Sequence, residues 1–132
     1  MGQMLIASEL VQEKLGSDVP KPAAFAPFYP LCTVLRRNWL DPRNPVYGAH
    51  TRMSPTPMLI QIGTRDDYED GERSCDEFVA TWQAAARDRT TVRHVEGGLH
   101  SFDIAVSTKP DLKDAVEARQ AVVSFFVRNL KP

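Results

Sequence analysis

Three short apolar runs, each stopped by proline or glycine, set the strongest limit on what this chain can fold into. Residues 23–29 (AAFAPFY) are apolar without alternation and end at Pro30; residues 58–62 (MLIQI) are apolar except for Gln61 and end at Gly63. Residues 91–96 (TVRHVE) are rich in β-branched side chains and end at Gly97 and Gly98. Runs this short suit strands better than helices, and a strand without a polar side is one covered on both faces, as in a parallel sheet. Between the second and third runs the period changes: Cys75, Phe78, Val79, Trp82 and Ala86 line one helical face, while Asp76, Glu77, Gln83 and Arg87 point away. Strand, helix and strand in that order predict an α/β fold with right-handed crossovers between parallel strands.

The flanking segments complete this plan. Met4, Leu5, Val11 and Leu15 recur at near-helical spacing before Gly16, a residue suited to a left-handed cap, so residues 4–15 are expected to be a helix. Pro20 and Pro22 mark a turn. Residues 38–57 hold Pro42, Pro45, Pro55 and Pro57, which deny the backbone a regular ladder or helix and predict a long loop, either part of a binding site or a plain surface connection. Leu112, Val116, Val122, Val123, Phe126 and Leu130 predict a closing helix over residues 112–130.

A chain of 132 residues fits a single domain spanning 1–132, long enough to bury roughly two thirds of its unfolded surface. Sixteen basic and seventeen acidic side chains, in no block of one sign, argue against nucleic acid as a partner. No apolar run approaches the ~20 residues that cross a bilayer, and the first residues lack the basic start of a secretion signal, so the expected location is cytoplasmic with no membrane partner. Cys32 and Cys75 form no C-x-x-C pair and are expected to be reduced core fillers. His50, His94 and His100 lack metal-site spacing, so no metal ion is expected.

Chemistry is expected beyond the carboxyl ends of the strands, where loops carry polar groups over a rigid base. Two strand ends supply acid and base: Asp66 and Asp67 follow Gly63, and His100 follows Gly97 and Gly98. The interval from Asp66 to His100 holds one helix and one return strand, so the crossover sets the two loops side by side. An aspartate beside a histidine fixes the imidazole tautomer and stabilises the imidazolium formed when the ring accepts a proton from a nucleophile. Acid before base is also the chain order of the α/β-hydrolase triad. The plainer alternatives are a turn or helix-capping aspartate and a solvated loop histidine.

The segments AAFAPFYPLC, PMLIQIGTRDDYEDGERSC and VEGGLHSFD resemble the last three sheet strands, with their following loops, of the dienelactone hydrolase family. The resemblance covers most of residues 4–130. Its most specific part is Gly63-x-x-Asp66-Asp67 after an apolar strand, Cys75 in the next helix, and His100 followed by Phe102 and Asp103. It implies a partial α/β-hydrolase fold, about three parallel strands with flanking helices, in a cofactor-free hydrolase of small-molecule esters or lactones, with Asp66 as the catalytic acid and His100 as the catalytic base.

Two departures accompany the resemblance. Leu31 stands where many family members have glycine, and no G-x-S-x-G or G-x-C-x-G elbow occurs in the sequence. The helix over 4–15 resembles the one that follows the nucleophile in the family, with Gly2 in the place of the elbow's trailing glycine, so the expectation is a chain that begins just after the missing nucleophile. Neither Cys32 nor Ser101 is expected to replace the nucleophile: Cys32 lacks the tight glycine turn that exposes one, and Ser101 is expected to point away from the reactive nitrogen of the adjacent His100. Without the elbow strand, residues 23–29 form an apolar sheet edge, and a homo-oligomer or a complex with a nucleophile-bearing segment is expected. A noncatalytic remnant serving as an interaction module is the competing functional class.

Overall fold

The computed structural model describes residues 20–41, 43, 52–69, 73–103 and 113–130, together with residues 8, 9, 13, 14, 16 and 18. Among the described residues six elements are defined: α1 (Cys32–Leu40), β1 (Met58–Gly63), α2 (Ser74–Ala80), α3 (Ala84–Arg87), β2 (Thr90–Val95) and α4 (Lys113–Asn129). The result is a small mixed α/β fold around a two-stranded parallel sheet, in which Met58 pairs with Thr90 and Gly63 with Val95.

The expected third strand, 23–29, is not one. It runs parallel to β1 through two isolated bridges, Phe25 to Met58 and Phe28 to Gln61. Phe25 N–H donates to the Pro57 carbonyl at 2.9 Å, Leu59 N–H to that of Phe25 at 2.8 Å, and Gln61 N–H to that of Pro27 at 3.1 Å. The bridges keep one register, and the position between them that would donate back is Pro27, which has no N–H. A single proline thus breaks a ladder that the apolar pattern predicts.

With a neighbour on each side, every residue of β1 is buried. Its side chains alternate between two layers. Met58, Ile60 and Ile62 pack on Cys32, Leu35 and Trp39 of α1 and on Cys75, Phe78, Val79, Trp82 and Ala86. On the other face the fully buried Gln61 donates from Nε2 to the Ala118 carbonyl of α4 at 3.1 Å and accepts from Arg93 at 3.1 Å, so its amide is satisfied within the core.

The helices depart from expectation in instructive ways. The face Cys75, Phe78, Val79, Trp82 and Ala86 is buried as the pattern requires, but two helices carry it. Thr81 Oγ1 bonds back to the Phe78 carbonyl at 2.6 Å, and Gln83 is extended, with its amide spent on the Met53 backbone. Helix α1 is unexpected; it takes residues 38–40 from the predicted loop and buries Cys32, Leu35 and Trp39. Much of that loop, and the predicted helix over 4–15 apart from residues 8, 9, 13 and 14, lie outside the described residues. In α4 the predicted stripe has the wrong phase: Ala115, Ala118 and Phe125 are buried, whereas Val123 and Leu130 are exposed. Small alanines let the helix backbone approach near enough for Gln61 to reach Ala118.

The cysteines also differ from expectation. Cys32 and Cys75 form a disulfide across 43 residues, with a Cα–Cα distance of 5.0 Å, because α1 and α2 start side by side on one face of the sheet. No described helix is long and apolar enough to cross a membrane.

Removing the bridge frees a loop whose closure entropy at a separation of 43 residues corresponds to about 4 kcal/mol. Cys75→Ser is expected to lose stability of that order in urea denaturation. Wild-type protein with reductant should match the variant, and an unchanged midpoint in both would contradict the bridge.

Candidate functional site

The site is assembled where the two strands end. Gly63 closes β1 with its Cα directly against Gly98: a Cβ at position 63 would lie 2.1 Å from the Gly98 carbonyl oxygen. The two loops then join. Thr64 N–H donates to Val95 O at 3.0 Å, Arg65 N–H to Gly98 O at 2.9 Å, and Gly97 N–H to Thr64 Oγ1 at 2.9 Å. Gly97, at φ 68°, takes the left-handed turn that sends the chain back over β1.

This junction delivers Asp66 to His100. The imidazole Nδ1 lies 3.0 Å from Asp66 Oδ1 and 2.9 Å from Oδ2. The Asp66 side chain is 2% exposed and that of His100 is 20% exposed. Asp66 is oriented locally, since Tyr68 N–H donates to its Oδ1 at 2.9 Å in an Asx turn. The neighbouring Asp67 Oδ1 receives the His100 backbone N–H at 3.4 Å. Bonding at Nδ1 sets the proton there and leaves Nε2, without a hydrogen-bond partner among the described residues, as the basic nitrogen. Such a pair can accept a proton from a hydroxyl or thiol and return it to a leaving group.

Aromatic rings enclose the imidazole. The Tyr29 ring centroid is 4.7 Å from that of His100, and the Tyr68 centroid is 4.5 Å away. Tyr29 also meets Phe102 edge-on at 5.7 Å, and Phe102 is buried with Phe28, Val95 and Ala118 in a second small core beneath the His100 turn. Burial pushes the Tyr29 phenol above its ordinary pKa, and the adjacent Asp103 carboxylate adds to the effect.

The structure therefore brings together Asp66 and His100, the two residues singled out from sequence. Sequence reasoning missed Tyr29 and Tyr68. Tyr29 ends an apolar run next to β1, so the rule that placed the site beyond strand ends already pointed to it. Tyr68 had no comparable signal.

The remaining candidates sit elsewhere or are occupied. His94, given no role, bonds through Nε2 to Asp76 Oδ2 at 2.7 Å on the flank of β2, with both side chains about one third exposed. Cys32 is in the disulfide and has no free thiol. Ser101 adjoins His100 at φ 61°. His50 lies outside the described residues. Among the described residues no three metal-ligating side chains gather. Set against protein-family models, curated proteins and solved structures, the chain matches none of them.

The Gly63 contact gives a direct test of the assembly. Gly63→Ala places a methyl inside the Gly98 carbonyl and should cost about 1–3 kcal/mol, the range for overpacking a tight site. Urea denaturation measures the loss. Imidazole ¹⁵N spectra of the folded fraction should show the His100 pairing with Asp66 disturbed; a variant of full stability with an unaltered imidazole would refute the proposed constraint.

Proposed function

We propose that this chain supplies the acid–base half of a hydrolase of the dienelactone hydrolase type, acting on ester or lactone bonds of small molecules. The observation that carries the reading is the enclosed Asp66 carboxylate held against Nδ1 of His100 at the ends of two adjacent parallel strands, with Nε2 unpartnered among the described residues. On this reading the fold is part of an α/β-hydrolase sheet in which β1 and β2 bear the acid and base, and the 25–29 segment is a third, proline-interrupted strand.

The steps follow from the pair. His100 Nε2 takes the proton of a nucleophilic hydroxyl or thiol as that atom adds to the substrate carbonyl, and Asp66 stabilises the imidazolium that results. The imidazolium returns the proton to the leaving oxygen, and the pair then activates water to release the acyl group. This chemistry calls for no metal ion or cofactor. The sequence has no elbow motif, so the nucleophile and most of the oxyanion-binding groups belong to a partner segment. That segment would lie along the free side of residues 25–29, where the backbone groups of Ala24, Ala26 and Phe28 point away from β1.

A second reading, a noncatalytic interaction module, is favoured by the same missing motif. Hydrolysis of p-nitrophenyl acetate separates the two. Turnover above buffer that disappears in folded His100→Ala, and falls by something on the order of 10⁴ in Asp66→Asn, supports the hydrolase. Background hydrolysis by pure folded protein, alone and with the nucleophile-bearing segment supplied, supports the module. Light scattering after size exclusion is expected to give an oligomer or a complex, and a stable monomer would count against the open edge.

A further inference from the structure

Among the described residues only two non-glycine residues have positive φ, Tyr29 at 36° and Ser101 at 61°. Tyr29 packs on the ring of His100, the residue just before Ser101. Side chains other than glycine resist this backbone region, and such residues persist only where the surroundings over-determine them. Here both flank one imidazole. Tyr29 N–H donates to Gln61 O at 2.6 Å, which fixes its backbone to β1, and its ring lies between His100 and Phe102.

Three further observations concern the same spot. Tyr68 also packs on the imidazole, with ring centroids 4.5 Å apart, yet is 68% exposed and adds nothing to the core. Asp103 Oδ1 is buried without a hydrogen-bond partner among the described residues. Arg119 Nη2 donates to the Asp103 backbone carbonyl at 2.6 Å, which anchors the far end of the His100 turn to α4.

We propose that Tyr29 is a positioning residue for His100, its ring forming with Tyr68 a slot that holds the imidazole in the plane of the Asp66 carboxylate. The inference deepens the hydrolase reading and names what keeps its base in place. A ring free to rotate about its Cβ–Cγ bond would spend part of its time with Nδ1 away from Asp66. Two aromatic rings packed on the imidazole restrict that freedom, and their π-systems attract the positive charge of an imidazolium. Asp66 holds one edge of the ring and the tyrosines pack against it.

The test is spectroscopic and does not depend on turnover. In ¹⁵N-labelled wild-type protein, His100 should show a single Nδ1-protonated tautomer and an Nδ1–H signal slow enough in solvent exchange to be seen. Tyr29→Leu should raise the exchange rate at least tenfold, broadening that signal away, and should average the two nitrogen shifts. Tyr29→Phe keeps the ring and should show the single tautomer of the wild type, separating the ring from the hydroxyl. Tyr68→Leu, at an exposed position, supplies a second arm with little risk to folding and should accelerate exchange in the same direction. Folded Tyr29→Leu and Tyr68→Leu with wild-type imidazole spectra would overturn the proposal. A wild-type signal that behaves as described in a protein inactive with its partner segment would leave the slot intact while removing the hydrolase reading.

Discussion

The backbone contact between Gly63 and Gly98 is the constraint on which the site depends. Two parallel strands 4.7–4.9 Å apart, by ordinary sheet geometry, would normally splay their following loops. Here neither loop has a Cβ at the crossing, so the carbonyl of Gly98 can sit against the Gly63 Cα and accept from Arg65 N–H. Asp66 is then one residue beyond a fixed point and His100 two beyond another. The precision of the acid–base pair comes from main chain, which has far fewer states than side chains of comparable reach.

What lies behind the junction keeps it from drifting. The disulfide joins the starts of α1 and α2, the helices that follow the segment bearing Tyr29 and the loop bearing Asp66. Glu69 strengthens the same tie: its Oε2 accepts from Thr33 N–H at 2.9 Å and Thr33 Oγ1 at 2.7 Å, satisfying a free donor in the first turn of α1. Both walls of the site are thereby fastened to one helical layer, while the His100 turn is fastened to α4 on the other through Phe102, Ala118 and Arg119. The acid and base meet at the seam of two layers.

The two histidine–aspartate pairs of this chain show why distance alone does not make a site. His94 and Asp76 approach more closely than His100 and Asp66, at 2.7 Å. Their side chains are about one third exposed, however, and they flank β2 instead of lying past its end. A charge pair in that setting is screened by water and contributes little. Asp66 is nearly excluded from solvent, its ring partner is walled by two tyrosines, and the free nitrogen lies where ligands meet parallel sheets.

Much of this arrangement was legible in the residues. The period change at Ser74, the glycines after each run and the order Asp66 then His100 depend on local preferences and on the fixed hand of the crossover, and these act on a sequence before any packing exists. Tertiary structure decided what local patterns cannot express. It buries the alanine face of α4 and not the valine stripe, with Gln61 bonded to the Ala118 carbonyl, and it interrupts the 75–86 helix where Gln83 bonds to the Met53 backbone. It also paired two cysteines that no motif connects, reduced the 23–29 run to bridges at Pro27, and set Tyr29 against His100. Each of these depends on atoms far apart in the chain, whose proximity is fixed only after the layers have closed.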